Sequence, residues 1–237
     1  SSMMGQTFGI KNKLQPDHLP GRLTGSAGQS LGAFAAPGLK IEVSGDANDY
    51  VGKGLSGGTI VVRPPMASPL VAADNVIIGN TVLYGATDGY LFAAGRAGER
   101  FAVRNSGAKV VIEGCGTNGC EYMTGGVAVI LGRIGANFGA GMTGGMAYLY
   151  DPEGVAGKYI NPETLVTAPV TVAHWENELK SLIERHAKET GSVKAKDILA
   201  NWDSEKAHFL QICPKEMLSR LKFPIAETGD LAAIPAE

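Results

Sequence analysis

The sequence predicts a mainly β fold, a right-handed parallel β-helix of ~20-residue coils followed by a short α-helical C-terminal tail. The first observation behind this prediction is a glycine pair followed by a short apolar run, which occurs three times. The three copies are Ser56–Val62, Thr124–Ile130 and Thr143–Leu149. Repeats of this kind are typical of solenoids, in which each unit stacks on the previous one.

The second observation is the spacing of the glycines that mark the repeat. The marks are Gly38, Gly58, Gly79, Gly98, Gly107, Gly126 and Gly145. Consecutive marks lie 19 to 21 residues apart, except that only 9 residues separate Gly98 from Gly107. We interpret all seven as one series with a weaker match at Gly98.

The third observation is that each unit reads as strands. Its runs of Val and Ile are too short for helices, and their side chains are stiff at χ1, which favours strands. A strand rises about 3.3 Å per residue, so ~20 residues supply three short strands and three bends. Inward side chains then form an apolar stack, while Lys40, Glu42 and Arg63 point outward. Glycine suits the bends, because it reaches positive φ and lets coils approach closely.

The chain divides into four predicted parts. Residues 1–20 are a tag remnant (Ser1 to Met4) and an N-terminal lead-in, and residues 227–237 are a flexible tail. Between them lie a glycine-rich β-helix over 21–168 and a helical segment over 169–226 that packs on or beside it.

The helical segment is predicted from a change of period. Trp175, Leu179, Leu182 and Ile183 share one helix face, Gly191 is a stop signal, and Ser192 is a cap for a second helix. A third short helix is predicted through Phe209 before Pro214. We expect these helices either to cover the open strand edge at the end of the β-helix or to dock elsewhere.

The composition argues against several classes of protein. The 237 residues carry a net charge of −2 with 19% charged residues, and no basic stripe favours nucleic acid. The sequence contains no apolar run of about 18 residues, so it predicts no membrane span. Three cysteines, an odd number, favour a reducing cytoplasm over a disulfide scaffold.

Three G-x-G-x-x-G strings resemble dinucleotide-binding loops. They span 52–57, 114–119 and 139–144. A dinucleotide loop needs a helix directly after it, whose N-terminus meets the pyrophosphate. Each string here leads into a strand-like run instead, so we interpret all three as turns.

Other chemistry-bearing residues have ordinary explanations. Cys115 and Cys120 lie in a glycine loop, but metal sites need three or four ligands, and buried free thiols explain them better. Glu113 and Glu121 are a candidate acid–base pair, but a surface role explains them better. An anion contact is the less favoured interpretation of Lys53. Asp and Asn residues cluster at the bends, where turn formation explains them better than calcium.

Several long strings resemble the C-terminal GXGXG domain of the glutamate synthase large (α) subunit. They are Tyr50–Gly58, Asn75–Thr87, Gly95–Phe101, Gly119–Gly126 and Asn137–Gly145, with Pro214–Leu218 in the tail. The match is close over roughly residues 20 to 150. Cys115 departs from it, because a small residue other than cysteine is expected there.

The resemblance implies a context. The whole enzyme makes L-glutamate from glutamine and 2-oxoglutarate. Its large subunit contains an amidotransferase domain and an FMN-bearing barrel with a [3Fe–4S] cluster, and a small subunit is a further partner. None of the family's catalytic, cofactor-binding or metal-binding residues map onto this chain. The resemblance therefore implies a cytoplasmic, non-catalytic structural domain that braces the amidotransferase, central and FMN-binding domains.

Two other hypotheses stay open. The chain is a standalone nucleotide or small-molecule binder that uses its glycine loops, or a separate assembly subunit for synthase domains.

Overall fold

Seven parallel strands stacked on one face form the framework of the computed structural model, which describes residues 15, 17–226 and 232–233. Within those residues the strands of this long face are β1 (Leu19–Ala27), β2 (Leu39–Ala47), β3 (Ser56–Arg63), β5 (Asp88–Ala93), β7 (Ser106–Ile112), β8 (Thr124–Ile130) and β9 (Gly144–Tyr150). The predicted mainly β solenoid is confirmed, with about seven turns. The predicted tag remnant at residues 1–4 lies outside the described residues.

Neighbouring strands of the long face pair residues that are 18 to 20 positions apart, with one exception. Thr59 pairs with Tyr90, 31 positions away, because this coil contains an additional segment, residues 64–75. The prediction of a single glycine series is therefore wrong. Gly79 and Gly98 lie on a different face from the other marks, and this change of face produces the step of 9.

The second face carries that other set of glycines. Its strands are β4 (Val76–Ile78) and β6 (Arg96–Ala97), which pair in parallel. The ladder continues past them, because the Ala97 amide donates to the Gly114 carbonyl at 2.9 Å. Glycine is required here by contact between coils: a Cβ on Gly135 would lie 2.4 Å from the Thr117 nitrogen. The glycines stacked on this face are Gly79, Gly98, Gly116 and Gly135.

The third face consists of backbone with positive φ, the left-handed conformation. In six coils of the described chain, three alternating residues have positive φ, and twelve of these eighteen are not glycine. The triplets are Ser30, Gly32, Phe34; Tyr50, Gly52, Gly54; Thr81, Leu83, Gly85; Arg100, Ala102, Arg104; Asn118, Cys120, Tyr122; and Asn137, Gly139, Gly141. This conformation costs a residue with a Cβ about 1–2 kcal/mol.

Hydrogen bonds between coils oppose that cost. The Tyr50 amide donates forward to the Asn80 carbonyl at 2.9 Å, and the Gly52 amide donates backward to the Leu31 carbonyl at 2.9 Å. The same pattern recurs in the later coils, for example from Ala102 back to Val82 at 2.9 Å. The continuous ladder holds side-chain-bearing residues in a conformation that sequence reasoning assigns to glycine.

The end of the solenoid is covered by strands. β11 (Phe209–Pro214) pairs antiparallel with β9 and with β10 (Leu165–Pro169), and β10 pairs with β12 (Ala232–Ala233). The third helix predicted through Phe209 is therefore wrong, and a helix does not cover the edge of β9. The open N–H and C=O groups of an edge strand need partners that another strand supplies and a helix cannot.

The helices lie on the flank of the solenoid. They are α1 (Ala173–Thr190), α2 (Val193–Ala200) and α3 (Trp202–Glu205). As predicted, α1 ends at Gly191, whose φ is +75°, and the Ser192 hydroxyl accepts the Ala195 amide at 3.0 Å. Short 3₁₀ turns occur at Ala72–Asp74, Ala156–Lys158, Lys206–His208 and Lys215–Arg220.

Helix α1 covers the outer surface of the long face. It contacts β3, β5, β7 and β8, and its predicted apolar stripe packs on outward side chains such as Phe92 and Val111. The outward position predicted for Lys40 is confirmed, since its ammonium pairs with Glu189 of α1 at 2.6 Å and with Glu42 at 3.0 Å. The long face is thus buried on both sides over β3, β5, β7 and β8, whereas β1 is mostly exposed.

Candidate functional site: a buried polar cluster and its cavity

A cluster of three polar side chains lies where the helices meet the solenoid. Glu113 follows β7, His186 is on α1, and Ser192 caps α2; they are 2%, 0% and 4% exposed. The Ser192 hydroxyl donates to Glu113 Oε1, and His186 Nε2 lies 3.6 Å from the same oxygen. The cluster connects the turn between α1 and α2 to the solenoid.

The residue types are those of a nucleophilic triad, but the contacts differ. In a triad, histidine accepts the serine proton. Here the Ser192 proton goes to Glu113, and the Ser192 oxygen accepts the Ala195 amide. Among the described residues, neither ring nitrogen of His186 has a hydrogen-bond partner. The arrangement is therefore suited to holding the helices in place.

A cavity of about 560 Å³ adjoins this cluster. It opens between the 64–75 segment and α2, and its wall includes Glu113 and Lys194. Burial lowers the pKa of Lys194, although the nearby carboxylates of Glu113 and Asp74 oppose the shift. A second cavity of about 420 Å³ shares Tyr150 and Lys194 with the first.

Tyr150 lies in the walls of both cavities. Its hydroxyl donates to Glu205 at the end of α3. Burial, together with this carboxylate, raises the pKa of Tyr150 to about 12. The phenol is therefore a neutral hydrogen-bond donor at physiological pH.

The three G-x-G-x-x-G strings lie in turns that lead to strands. Strings 52–57 and 139–144 supply positive-φ residues of the third face and run into β3 and β9. String 114–119 begins on the second face, and the next element is β8. Within the described residues, the element that directly follows each string is a strand, which agrees with the interpretation of the strings as turns.

The cysteines are buried. Cys115 and Cys120 lie in the solenoid interior, and Cys213 lies under the helices. Burial raises the pKa of Cys115 to about 12 and that of Cys213 to about 11, and it also raises the pKa of Cys120. Across residues 17–226 no group of three or more His, Cys, Asp or Glu side chains is arranged to hold a metal ion.

Glu113 and Glu121 do not form a pair, and the surface role predicted for Glu113 is wrong, because this residue is 2% exposed. Glu121 lies on the third face, where Arg100 Nε is 3.3 Å from its carboxylate. Lys53 lies over the ring of Tyr50, 5.7 Å from its centroid. The Asx side chains act in two ways. Asp88 accepts the amide of the adjacent Gly89 at 2.8 Å, which is a local contact as expected, whereas Asp49 accepts the Asn80 amide at 2.8 Å and joins two coils.

Sequence reasoning missed the partners of Glu113 and the 64–75 segment. Glu113 and Ser192 are 79 positions apart, so no local pattern connects them. The segment did leave a signal, because Pro64-Pro65 interrupts the repeat where no coil boundary is expected.

Backbone geometry and comparisons agree on the class of protein. The molecule is a glycine-dependent β-solenoid domain with a helical flank. The family model described as the GXGXG motif matches residues 1–215, and the chain belongs to this family.

Similar proteins are glutamate synthases. The chain is 64% identical over 225 residues to the glutamate synthase [NADPH] large chain of Azospirillum brasilense, covering 95% of this chain and 15% of that protein. It is 56% identical to ferredoxin-dependent glutamate synthase 2 of Synechocystis sp., covering 80% of this chain and 12% of that protein. For glutamate synthase [NADH] of Schizosaccharomyces pombe the identity is 49%, covering 91% of this chain and 10% of the relative. The chain thus spans 10–15% of the length of these relatives.

Among the described residues, no helix is both long enough and apolar enough to cross a membrane.

Proposed function

We propose that this chain is a non-catalytic scaffold domain of a glutamate synthase large chain. It holds an amidotransferase domain and an FMN-binding synthase domain at a fixed separation. The observation that carries the proposal is the hydrogen-bond ladder, which joins successive coils on all three faces of the solenoid. The similarity to glutamate synthases supplies the enzyme.

The ladder supports a spacer role because it makes the solenoid stiff along its axis. Seven stacked strands at a spacing of about 4.8 Å span roughly 29 Å. Sliding or bending one coil against the next would break hydrogen bonds on three faces at once. An enzyme that passes ammonia between two active sites needs such a fixed distance.

The proposal places the reactive groups elsewhere in the longer protein. FMN and the iron–sulfur cluster belong to other domains, the small subunit is a further partner, and the compartment is the cytoplasm. Glu113, His186 and Ser192 then serve to fix the helical flank. All three side chains are at most 4% exposed, and neither Ser192 nor His186 lines the adjoining 560 Å³ cavity, which favours this role over catalysis.

The test shortens the spacer by one coil. Deletion of residues 19–38 from the longer protein joins His18 to Leu39, so that Leu39 takes the place of its register partner Leu19, and it leaves β2–β9 intact. We expect glutamine hydrolysis and ammonia-dependent glutamate formation to persist, while glutamine-dependent glutamate formation falls at least tenfold and free ammonia is released. Unchanged coupling in the folded deletion variant would contradict the scaffold role.

The isolated chain gives an independent check. We expect it to form no glutamate from glutamine or ammonia with 2-oxoglutarate, and to show no binding of FMN or NAD(P)H in calorimetry. Micromolar nucleotide binding that Gly116→Ala abolishes would favour the small-molecule binder instead.

A further inference from the structure

An exposed apolar surface surrounds the mouth of the larger cavity. Leu70, Val71 and Val76 of the inserted segment and its border are 62%, 63% and 60% exposed, and Val193 at the start of α2 is 72% exposed. Leu70, Val71 and Val193 line the 560 Å³ cavity, and Leu70 and Val76 line an adjoining cavity of about 240 Å³. We call these four residues the loop–helix surface. Apolar side chains grouped around a cavity are characteristic of interaction sites.

The cavity wall is acidic. Its ionisable residues are three carboxylic acids (Glu113, Asp197 and Glu205), one amine (Lys194) and the neutral phenol of Tyr150. Glu113 Oε2 is buried and has no hydrogen-bond partner among the described residues. Apolar walls with excess carboxylates fit a side chain with an aliphatic stem and a cationic head, as in arginine or lysine.

We propose that the loop–helix surface is the docking site for another domain of the same longer polypeptide, which inserts an arginine or lysine side chain into the acidic cavity. This inference rests on the proposed function, because it names the surface through which the scaffold holds a partner domain. The relatives extend far beyond this chain, which covers 10–15% of their length, so such a domain is available within one polypeptide.

A second copy of this chain is a poorer occupant. A symmetric dimer places the same patch against itself. Two cavities with an excess of carboxylates would then face each other. Like charges across an interface oppose association.

The first experiment replaces Val193 in the longer protein with a benzophenone amino acid and maps the products of irradiation. Val193 is exposed in the first turn of α2, so the folded structure is expected to persist. The matched control carries the probe at Asp203, which is exposed on α3 and does not line the cavity. We expect intramolecular cross-links from position 193 to a peptide outside this chain that contains arginine or lysine, at a yield at least tenfold above that from position 203.

Three results would overturn the proposal: no cross-link above the control, cross-links only within this chain, or cross-links between two molecules. The second experiment adds Asp197→Lys, with Asp203→Lys as its control. We expect the cross-link yield from position 193 to fall at least fivefold with Asp197→Lys only, and to recover when the cross-linked cationic residue is changed to Glu. Equal effects of the two lysine variants would also contradict the proposed cationic side chain.

These outcomes are independent of the spacer test. Loss of coupling on deletion of residues 19–38 without cross-links from position 193 leaves the scaffold role and removes this docking site. Cross-links from position 193 together with unchanged coupling would leave this docking site and remove the scaffold role.

Discussion

Over β3, β5, β7 and β8 both sides of the long sheet are buried, but they are filled differently. The buried cluster of the solenoid interior consists of apolar side chains and two thiols. The outer side, under α1, is bordered by buried Glu113 and His186 and contains Tyr148, whose pKa is raised by burial. Inside, the backbone repeat determines the structure; outside, individual polar contacts fix one particular set of helices.

The largest expected effect is on the inner, backbone-determined side. Gly126 has φ of +83°, and a Cβ there would lie 2.3 Å from the Ala108 carbonyl oxygen of the neighbouring coil. We expect Gly126→Val to lower the free energy of unfolding by about 3 kcal/mol or more, measured by urea unfolding. The control is Gly28→Val, where φ is not in the left-handed region and nothing lies within 4 Å of an added Cβ. A free energy of unfolding equal to the parent's for Gly126→Val would refute the stacked-coil account.

An intermediate effect is expected from the outer polar cluster. Glu113→Ala removes the acceptor of the buried Ser192 hydroxyl, so we expect a loss of about 1–3 kcal/mol in the free energy of unfolding. Glu121→Ala removes a carboxylate that pairs with the half-exposed Arg100, and the loss there should stay below about 1 kcal/mol. Equal losses in denaturant titrations of the two variants would mean that the buried cluster does not fix the helices.

The smallest expected effect is a pH dependence at the helices. Hydrogen bonds from Trp202 and Lys206 lower the pKa of Glu176 below its ordinary 4.5, although burial opposes them. A lowered folded-state pKa contributes stability above the ordinary value, and that contribution is lost as the pH falls through the lowered one. Glu176→Gln should therefore cost roughly 0.5–1 kcal/mol at pH 7 and less at pH 3.

Thermal unfolding of the parent protein and of Glu176→Gln at pH 7 and at pH 3 measures the cost of the substitution at each pH. Glu184→Gln, at an exposed position of α1, is the control. A cost of Glu176→Gln that is the same at pH 7 and pH 3 would show that its charge is not involved.

Local sequence signals predicted the elements that depend on neighbouring residues. Gly191 predicted the C-terminal end of α1, and Ser192 predicted the N-terminal end of α2, because caps act within one turn. The prediction for Phe209–Pro214 was wrong, because the choice between helix and strand there is made by β9, about 60 positions earlier. The single glycine series failed for a related reason, because Gly79 and Gly98 lie on the second face, and the spacing of glycines does not record on which face each one stacks.

The sequence by itself determined that this protein is a β-solenoid followed by a helical segment and that its glycine strings are turns. Glycine spacing and apolar runs report directly on backbone conformation and on what each coil can bury. The tertiary structure alone decided that twelve side-chain-bearing residues of the third face take positive φ, that β11 covers the last coil, and that Glu113 meets Ser192 and His186. Those features depend on hydrogen bonds between positions distant in the chain, which no local pattern records.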